Sequence, residues 1–300
     1  MKPTKLAGHI SEFVAYTIFG FNIIICKDLS NSHLISPIGL FCIRSVGACI
    51  LFWLISAFLP KEKVDKKDLP FIFIASMVGL FITQMTFLGS IKVTTPLDLS
   101  IITTTTPIFT MFAAAIVLHE PITLKKAGGV VISFVGVILL ILNSVTIGDG
   151  ASQTKPIGIV LMLLNCLSFA MYLAVFKRLI SKYTVVTFMK WMFLFSTIVS
   201  VPIGLGELIS IDYAAMPKNI VGGLLYLIFF STFTAYFLIP IGQKVLRPTV
   251  ISLYAYLQPL IASIMSIWIG MDRLTWQKIL ATILIITGVI LVNKSRAATN

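Results

Sequence analysis

Charge is what this 300-residue chain has least of: 11% of its residues are charged, 58% are hydrophobic, and its mean hydropathy is +1.01. That composition excludes a soluble core and leaves lipid as the main solvent. Acid is scarcer still, with 11 Asp and Glu against 23 Lys and Arg, a net charge of +12. The basic residues stand singly between apolar runs and never gather with interleaved aromatics, which excludes a nucleic-acid surface. Histidine is reduced to His9, His33 and His119, far apart in the sequence. With no H-E-x-x-H pair, no Ser-His-Asp order, no paired acidic cluster and no P-loop, neither an enzyme nor ATP-driven transport has its residues here. No metal or cofactor is implied. Four cysteines, Cys26, Cys42, Cys49 and Cys166, lie in apolar segments, where thiols act as small hydrophobes rather than as a disulfide framework.

What is present is a series of apolar runs of about 18 to 25 residues, each long enough to cross about 30 Å of hydrocarbon. We place ten spans, at 6–26, 35–59, 69–91, 96–118, 124–142, 156–176, 184–208, 219–241, 248–270 and 275–293. The first is too long, and lacks the small-residue site, for a removable signal. Most connectors are short and carry turn or helix-stop chemistry, such as Glu120-Pro121 and Arg247-Pro248. The only long one, around Gly148 and Gly150, falls mid-chain. The expected organisation is therefore a first five-helix half at 1–143, an external linker at 144–155 and a second half at 156–300.

The halves repeat. A shift of 152 positions lays Lys92 on Lys244, Pro96 on Pro248, Ser100 on Ser252, Pro107 on Pro259, Thr123 on Thr275 and Lys126 on Lys278. It also lays Gly136-Val137-Ile138-Leu139 on Gly288-Val289-Ile290-Leu291 without a gap. Apolar composition alone does not put prolines, threonines and lysines in register, and internal repeats in a membrane chain mark secondary transporters. Because five is odd, the halves must be inverted relative to each other across the bilayer. With the N-terminus inside, 15 basic residues fall in cytoplasmic segments: Lys2, Lys5, Lys61, Lys63, Lys66, Lys67, Lys125, Lys126, Lys177, Arg178, Lys182, Lys244, Arg247, Lys294 and Arg296. Six fall outside: Lys27, Lys92, Lys155, Lys218, Arg273 and Lys278. The bias predicts that both termini are cytoplasmic.

Several segments resemble a known family. His119-Glu120-Pro121-Ile122-Thr123 with Gly129 and Gly136-Val137 is similar to the stretch that closes each EamA repeat in the drug/metabolite transporter superfamily, and Met271-Asp272-Arg273-Leu274-Thr275 with Gly288-Val289 to its second copy. Phe19-Gly20-Phe21-Asn22, Lys27 and Arg44 are similar to the family's pattern in the first two helices. Departures are His119 for the usual Gly, Asp272 for Glu and Phe19 for Trp. The resemblance covers essentially the whole chain. It implies a ten-helix inverted-repeat carrier, and export of amino acids or related metabolites from the bacterial cytoplasm across the inner membrane. Its partners would be a small solute and the lipid bilayer; a monomer is plausible, and the sequence leaves the oligomeric state open.

Pro107 and Pro259 each lie 11 residues into a span, about 16 Å along a helix and so near the midplane. Each frees the carbonyl four residues earlier, of Thr103 and of Ala255, which lipid does not tolerate. Hydroxyls at Thr103 to Thr106, and Tyr254, Tyr256 and Gln258 in the second copy, are the polar groups at hand. The fourth and ninth spans are thus expected to line a central polar cavity; the alternative is that the prolines only kink packed helices. Asn22, Gln84, Asn165, Tyr172 and Tyr236 interrupt other apolar runs and fit the same cavity, or bond between helices. Arg44 lies deep in the second span, where insertion costs about 2.5 to 3.5 kcal/mol; it suits a substrate carboxylate or phosphate, or a structural partner. Glu12 is the carboxylate best placed to exchange a proton. Gly20, Gly79 and Gly89 are expected to allow close helix approach. Two other functions stay open: an uptake or exchange carrier for carboxylated or phosphorylated metabolites, which Arg44 would serve, and a channel or scaffold without turnover.

Overall fold

Four helices begin behind a hydroxyl cap, at Thr4, Ser36, Thr95 and Thr184. Ser36 and Thr95 turn their hydroxyls onto Gly39 N and Asp98 N, at 3.1 and 3.2 Å, with proline in the first turn behind them; such caps satisfy amides that have no partner inside the helix. In the computed structural model, residues 4–118, 123–146, 154–246, 251, 254–271 and 275–294 are described. Parts of the resemblance (His119 to Ile122, Asp272 to Leu274), the repeat residues Pro248 and Ser252, and the middle of the linker lie outside them.

The described chain is helical. In order it forms α1 (Lys5–Asn31), α2 (Pro37–Ala57), α3 (Leu69–Lys92), α4 (Pro96–Thr103), α5 (Thr106–Leu118), α6 (Leu124–Thr146), α7 (Pro156–Val175), α8 (Lys177–Lys182), α9 (Val185–Ser210), α10 (Lys218–Val245), α11 (Leu257–Trp268) and α12 (Trp276–Lys294). Among the described residues seven stretches are long and apolar enough to cross a membrane, and shorter apolar stretches, Ala127–Leu139 and Trp276–Gly288, lie in α6 and α12. These cover the expected ten spans except that the ninth is described only in part. Two features were not expected. The fourth span is broken at Thr104-Thr105 into α4 and α5, and a short helix, α8, follows the sixth.

The twofold relation between the halves is written into the contacts. In a twofold assembly a residue meets its own copy only on the axis. Ser45 and Thr197 share a hydrogen bond of 3.0 Å, Gln84 Nε2 donates to Tyr236 OH at 2.7 Å, and Ser133 Oγ donates to the Ile285 carbonyl at 3.0 Å. Each pair is separated by 152 positions, the offset read from the sequence. The axis therefore passes through three pairs of equivalent helices: α2 with α9, α3 with α10, and α6 with α12.

Orientation follows from the order of contacts along α6 and α12. A side chain at Gly288 would run into the Gly129 carbonyl, Ser133 bonds Ile285, and a Cβ on Gly136 would lie 2.9 Å from the Ala281 carbonyl. As one index rises the other falls, so the two helices are antiparallel. Equivalent helices that run antiparallel put the axis across them, and the halves are inverted. Glycine is needed here for close approach: the atoms it spares include backbone, which cannot give way.

Both copies of the third span also widen into a π turn, at Met77–Ile82 and Leu227–Thr234. A π turn leaves backbone groups without their usual partners and is often found at functional sites. Here the Val78 carbonyl accepts from Thr83 Oγ1 and Ser168 Oγ, both at 2.7 Å, and the Leu227 carbonyl from Thr232 Oγ1 at 2.7 Å.

Candidate functional site

At Pro107 the freed carbonyl finds a hydroxyl. The Thr103 carbonyl that it frees accepts from Thr106 Oγ1 at 2.7 Å, and Thr103, Thr104 and Thr105 turn their hydroxyls back onto Ser100, Ile101 and Ile102 at 2.6 to 2.7 Å. Short hydroxylated side chains compete with the helix ladder in this way, and a run of four next to a proline opens the helix. In the second half, Ala255 and Tyr256 form a turn just before α11, within one residue of the place one repeat length on. The side chain of Pro259 lies outside the described residues.

A cavity opens beside the first break. α1 contributes Tyr16, Phe19 and Asn22; α3 contributes Thr83, Gln84 and Phe87; Thr103 and Thr106 flank the break. The second half supplies Met162, Asn165 and Phe169 from α7, Tyr236 from α10, and Ala255 and Gln258 at the second break. The on-axis pair Gln84–Tyr236 is part of its wall, so the cavity lies on the axis relating the halves. Its volume, about 60 Å³ for the centres of water-sized molecules, is room for several waters.

Its chemistry is polar but uncharged. No lining residue carries a formal charge; four carboxamides, several hydroxyls and three phenylalanine rings make the wall. Asn165 Nδ2 donates to the Thr83 carbonyl at 2.6 Å. Tyr16 OH and Gln84 Oε1 are buried with no hydrogen-bond partner among the described residues. Unsatisfied polar atoms are costly where they are enclosed, and these two border the cavity.

Seven of the expected positions thus meet around one space: Asn22, Gln84, Thr103, Thr106, Asn165, Tyr236 and Gln258. Others lie elsewhere. Arg44 is 1% exposed and spends its donors on Thr232 Oγ1 (2.8 Å), Ser231 Oγ (3.2 Å) and Cys26 Sγ (3.7 Å). Tyr172 packs against Gly79. Tyr254 bonds His9 Nδ1 at 2.7 Å. Tyr256 packs at the edge of the apolar core beside the second break. Glu12 is fully buried one turn below Tyr16, pressed against Gly242, and neither carboxylate oxygen has a hydrogen-bond partner among the described residues. Gly20 and Gly79 sit at close contacts as expected, whereas Gly89 makes only an ordinary one. Tyr16, Phe19, Thr83, Phe87, Met162, Phe169 and Ala255 were missed. Aromatic and apolar residues in apolar helices carry no distinguishing pattern, although Glu12, Tyr16, Phe19 and Asn22 follow the i, i+4, i+7, i+10 spacing of one helix face.

Contacts between the halves join both ends of the bundle. At the end away from the N-terminus, Lys278 Nζ lies 3.1 Å from Asp98 Oδ1, both side chains under one-tenth exposed, and Thr154 Oγ1 donates to Asp98 Oδ2. Within the first half, Lys27 Nζ bonds the carbonyls of Ile91 and Thr94 at the same end, at 2.9 and 2.7 Å. At the N-terminal end the loop before α3 grips the segment before α9: Glu62 accepts from Thr184 N and Oγ1, Lys182 meets Asp65 and Asp68 at 2.5 and 2.7 Å, and Tyr183 OH donates to Asp68 at 2.5 Å. Hydrogen bonds from Lys182 and Tyr183 hold the Asp68 carboxyl below its usual range, and bonds to Asp65 and Asp68 hold Lys182 above its own.

Comparison with known proteins agrees with this architecture. The profile of the EamA-like transporter family matches residues 6–142 and again 156–294. An uncharacterized transporter of Archaeoglobus fulgidus is 28% identical over 203 residues, covering 67% of this chain and 68% of its own length. The uncharacterized transporter YetK of Bacillus subtilis is 24% identical over 264 residues, covering 87% of this chain and 79% of its own. A solved crystal structure superposes with a TM-score of 0.66 over 96% of this chain and 98% of its own at 13% identity, a likeness of fold. Two matched repeats, inverted about an axis through a shared polar cavity, make this chain an integral membrane protein that belongs to the EamA-like transporter family.

Proposed function

We propose that the protein is a secondary carrier that exports small organic solutes, amino acids or related metabolites, by alternating access about the axial cavity. The observation that carries this reading is the position of the cavity: it lies between two inverted halves that are joined by contacts toward either end of the bundle. Rocking one half against the other would break one set of contacts while keeping the other. The mixed wall of amides, hydroxyls and phenylalanines suits a solute with an apolar body and polar ends.

Glu12 supports coupling to protons. A buried, unpaired carboxylate costs several kcal/mol in its charged form, and a group one turn from the cavity wall can trade that charge for a proton as the cycle turns. Carriage of phosphorylated metabolites loses its main support, because Arg44 does not reach the cavity. The termini lie on the cytoplasmic side of an inner membrane in this reading, so a C-terminal reporter active only outside the cytoplasm should stay dark.

Counterflow in proteoliposomes tests the proposal. Unlabelled solute inside should speed entry of its labelled copy, across a panel of amino acids, nucleosides, sugar phosphates and organic cations. A pore shows no such stimulation, and neither does a scaffold.

A further inference from the structure

A guanidinium has hydrogens to give and no lone pair to accept with, so every group bonded to Arg44 must receive there and keep its own hydrogen for another partner. Thr232 passes its hydrogen to the Leu227 carbonyl, at 2.7 Å. Ser231, which receives from Nη2, passes its own to Asn22 Oδ1, at 2.5 Å. Cys26, which receives from Nη1, points its thiol at the same Oδ1, at 3.5 Å. Two relays of fixed polarity therefore converge on one atom. They settle which way round the Asn22 amide sits: oxygen toward Arg44, nitrogen away from it. No carboxylate among the described residues pairs with this buried cation, so its field also reaches toward Asn22 uncancelled.

Asn22 is 5% exposed and lines the cavity. We infer that Arg44 is a positioning residue for specificity: acting through Ser231 and Cys26, it makes the Asn22 end of the cavity a donor site for the carboxylate of the transported solute. Gln84 gives the opposite polarity elsewhere in the wall. Its Nε2 is committed to Tyr236, and its Oε1, buried without a partner among the described residues, requires a donor. A solute with a carboxylate at one end and an ammonium or hydroxyl at the other fits both. This assignment rests on the cavity being the solute site.

The test is binding, read by thermal shift on the full-length protein, of three probes that share one ring: 3-phenylpropionate, phenylalanine and phenethylamine. The wild type should bind both carboxylates at least tenfold more tightly than the amine. Asn22→Asp, whose extra oxygen replaces the amide nitrogen, should reverse that order. Ser231→Ala combined with Cys26→Ala should weaken carboxylate binding about tenfold with Asn22 present and have no further effect in an Asn22→Ala background. Ser231→Thr, which keeps the hydroxyl, should restore it, and Ser231→Ala alone serves if the double variant does not fold. Additive losses in the Asn22→Ala background, an unchanged order in Asn22→Asp, or a wild type that ignores all three probes would each overturn the inference. Counterflow with the wider panel judges the carrier reading separately: exchange of other solutes with no binding of these three keeps that reading and sinks this one.

Discussion

Single side chains decide whether the cavity is wet and which groups face it. Gln258→Leu and Thr103→Val should each abolish uptake into vesicles while leaving expression near normal, since one removes a polar wall group and the other alters the hydroxyl chain that repairs the broken helix. Unchanged rates in both would mean that the prolines only bend the chain. Asp68 gives a pH signature. Its folded carboxyl titrates below the ordinary value of about 4, so its contribution is fully present above that value and fades as pH falls through the lowered one. Lys182, held high, contributes below its ordinary value and loses that contribution only as pH rises through the raised one. Wild type and Asp68→Asn should therefore differ in thermal stability near neutrality and converge under strong acid. The sequence disclosed the carboxamides and threonines around the cavity because polarity stands out against an apolar background. It hid the phenylalanine wall, which looks like any lipid-facing run, and it gave Arg44 two readings between which only the geometry of Ser231 and Cys26 chooses.

Among the elements, the pairing of α6 with α12 depends most on what is missing from it. Gly136→Leu and Gly288→Leu should each destabilise the protein, and by similar amounts, because the two glycines occupy equivalent places against backbone. Overfilling a packed contact costs about 1 to 3 kcal/mol, and more where nothing can shift. Gly128→Ala is the control: nothing lies within 4 Å of that position, so thermal melts in detergent should be unchanged or slightly improved, as helix propensity favours Ala. The repeat was legible over the fourth and fifth spans of each half because Lys, Pro, Thr and Gly recur there identically. It was silent at Ser45/Thr197 and Gln84/Tyr236, where the positions match and the residues do not. The axis needs only that the two side chains reach each other, so identity was free to drift where placement was not. The break at Thr104-Thr105 was half visible: the proline and the hydroxyls stand out in the sequence, but not that four hydroxyls together end one helix and begin another.

At the scale of the molecule, the two sets of contacts between the halves differ in kind. The one at the N-terminal end is largely exposed and so is screened by salt. The one at the far end is buried, and Lys278→Ala there would leave Asp98 uncompensated, at a cost of about 3 to 5 kcal/mol. Replacing both, as Asp98→Asn with Lys278→Met, should recover most of that loss in thermal melts. Failure of the double variant to recover would show that the pair contributes more than mutual neutralisation.

The self-paired contacts along the axis bear on how the chain came to be one chain. With its basic residues gathered on one side, the first half made alone is expected to take one orientation, and would then find only neighbours pointing in the wrong direction for Ser133 or Gln84 to meet a match. The two fragments co-expressed would find them, and fusing both halves in one polypeptide guarantees the encounter at equal dose.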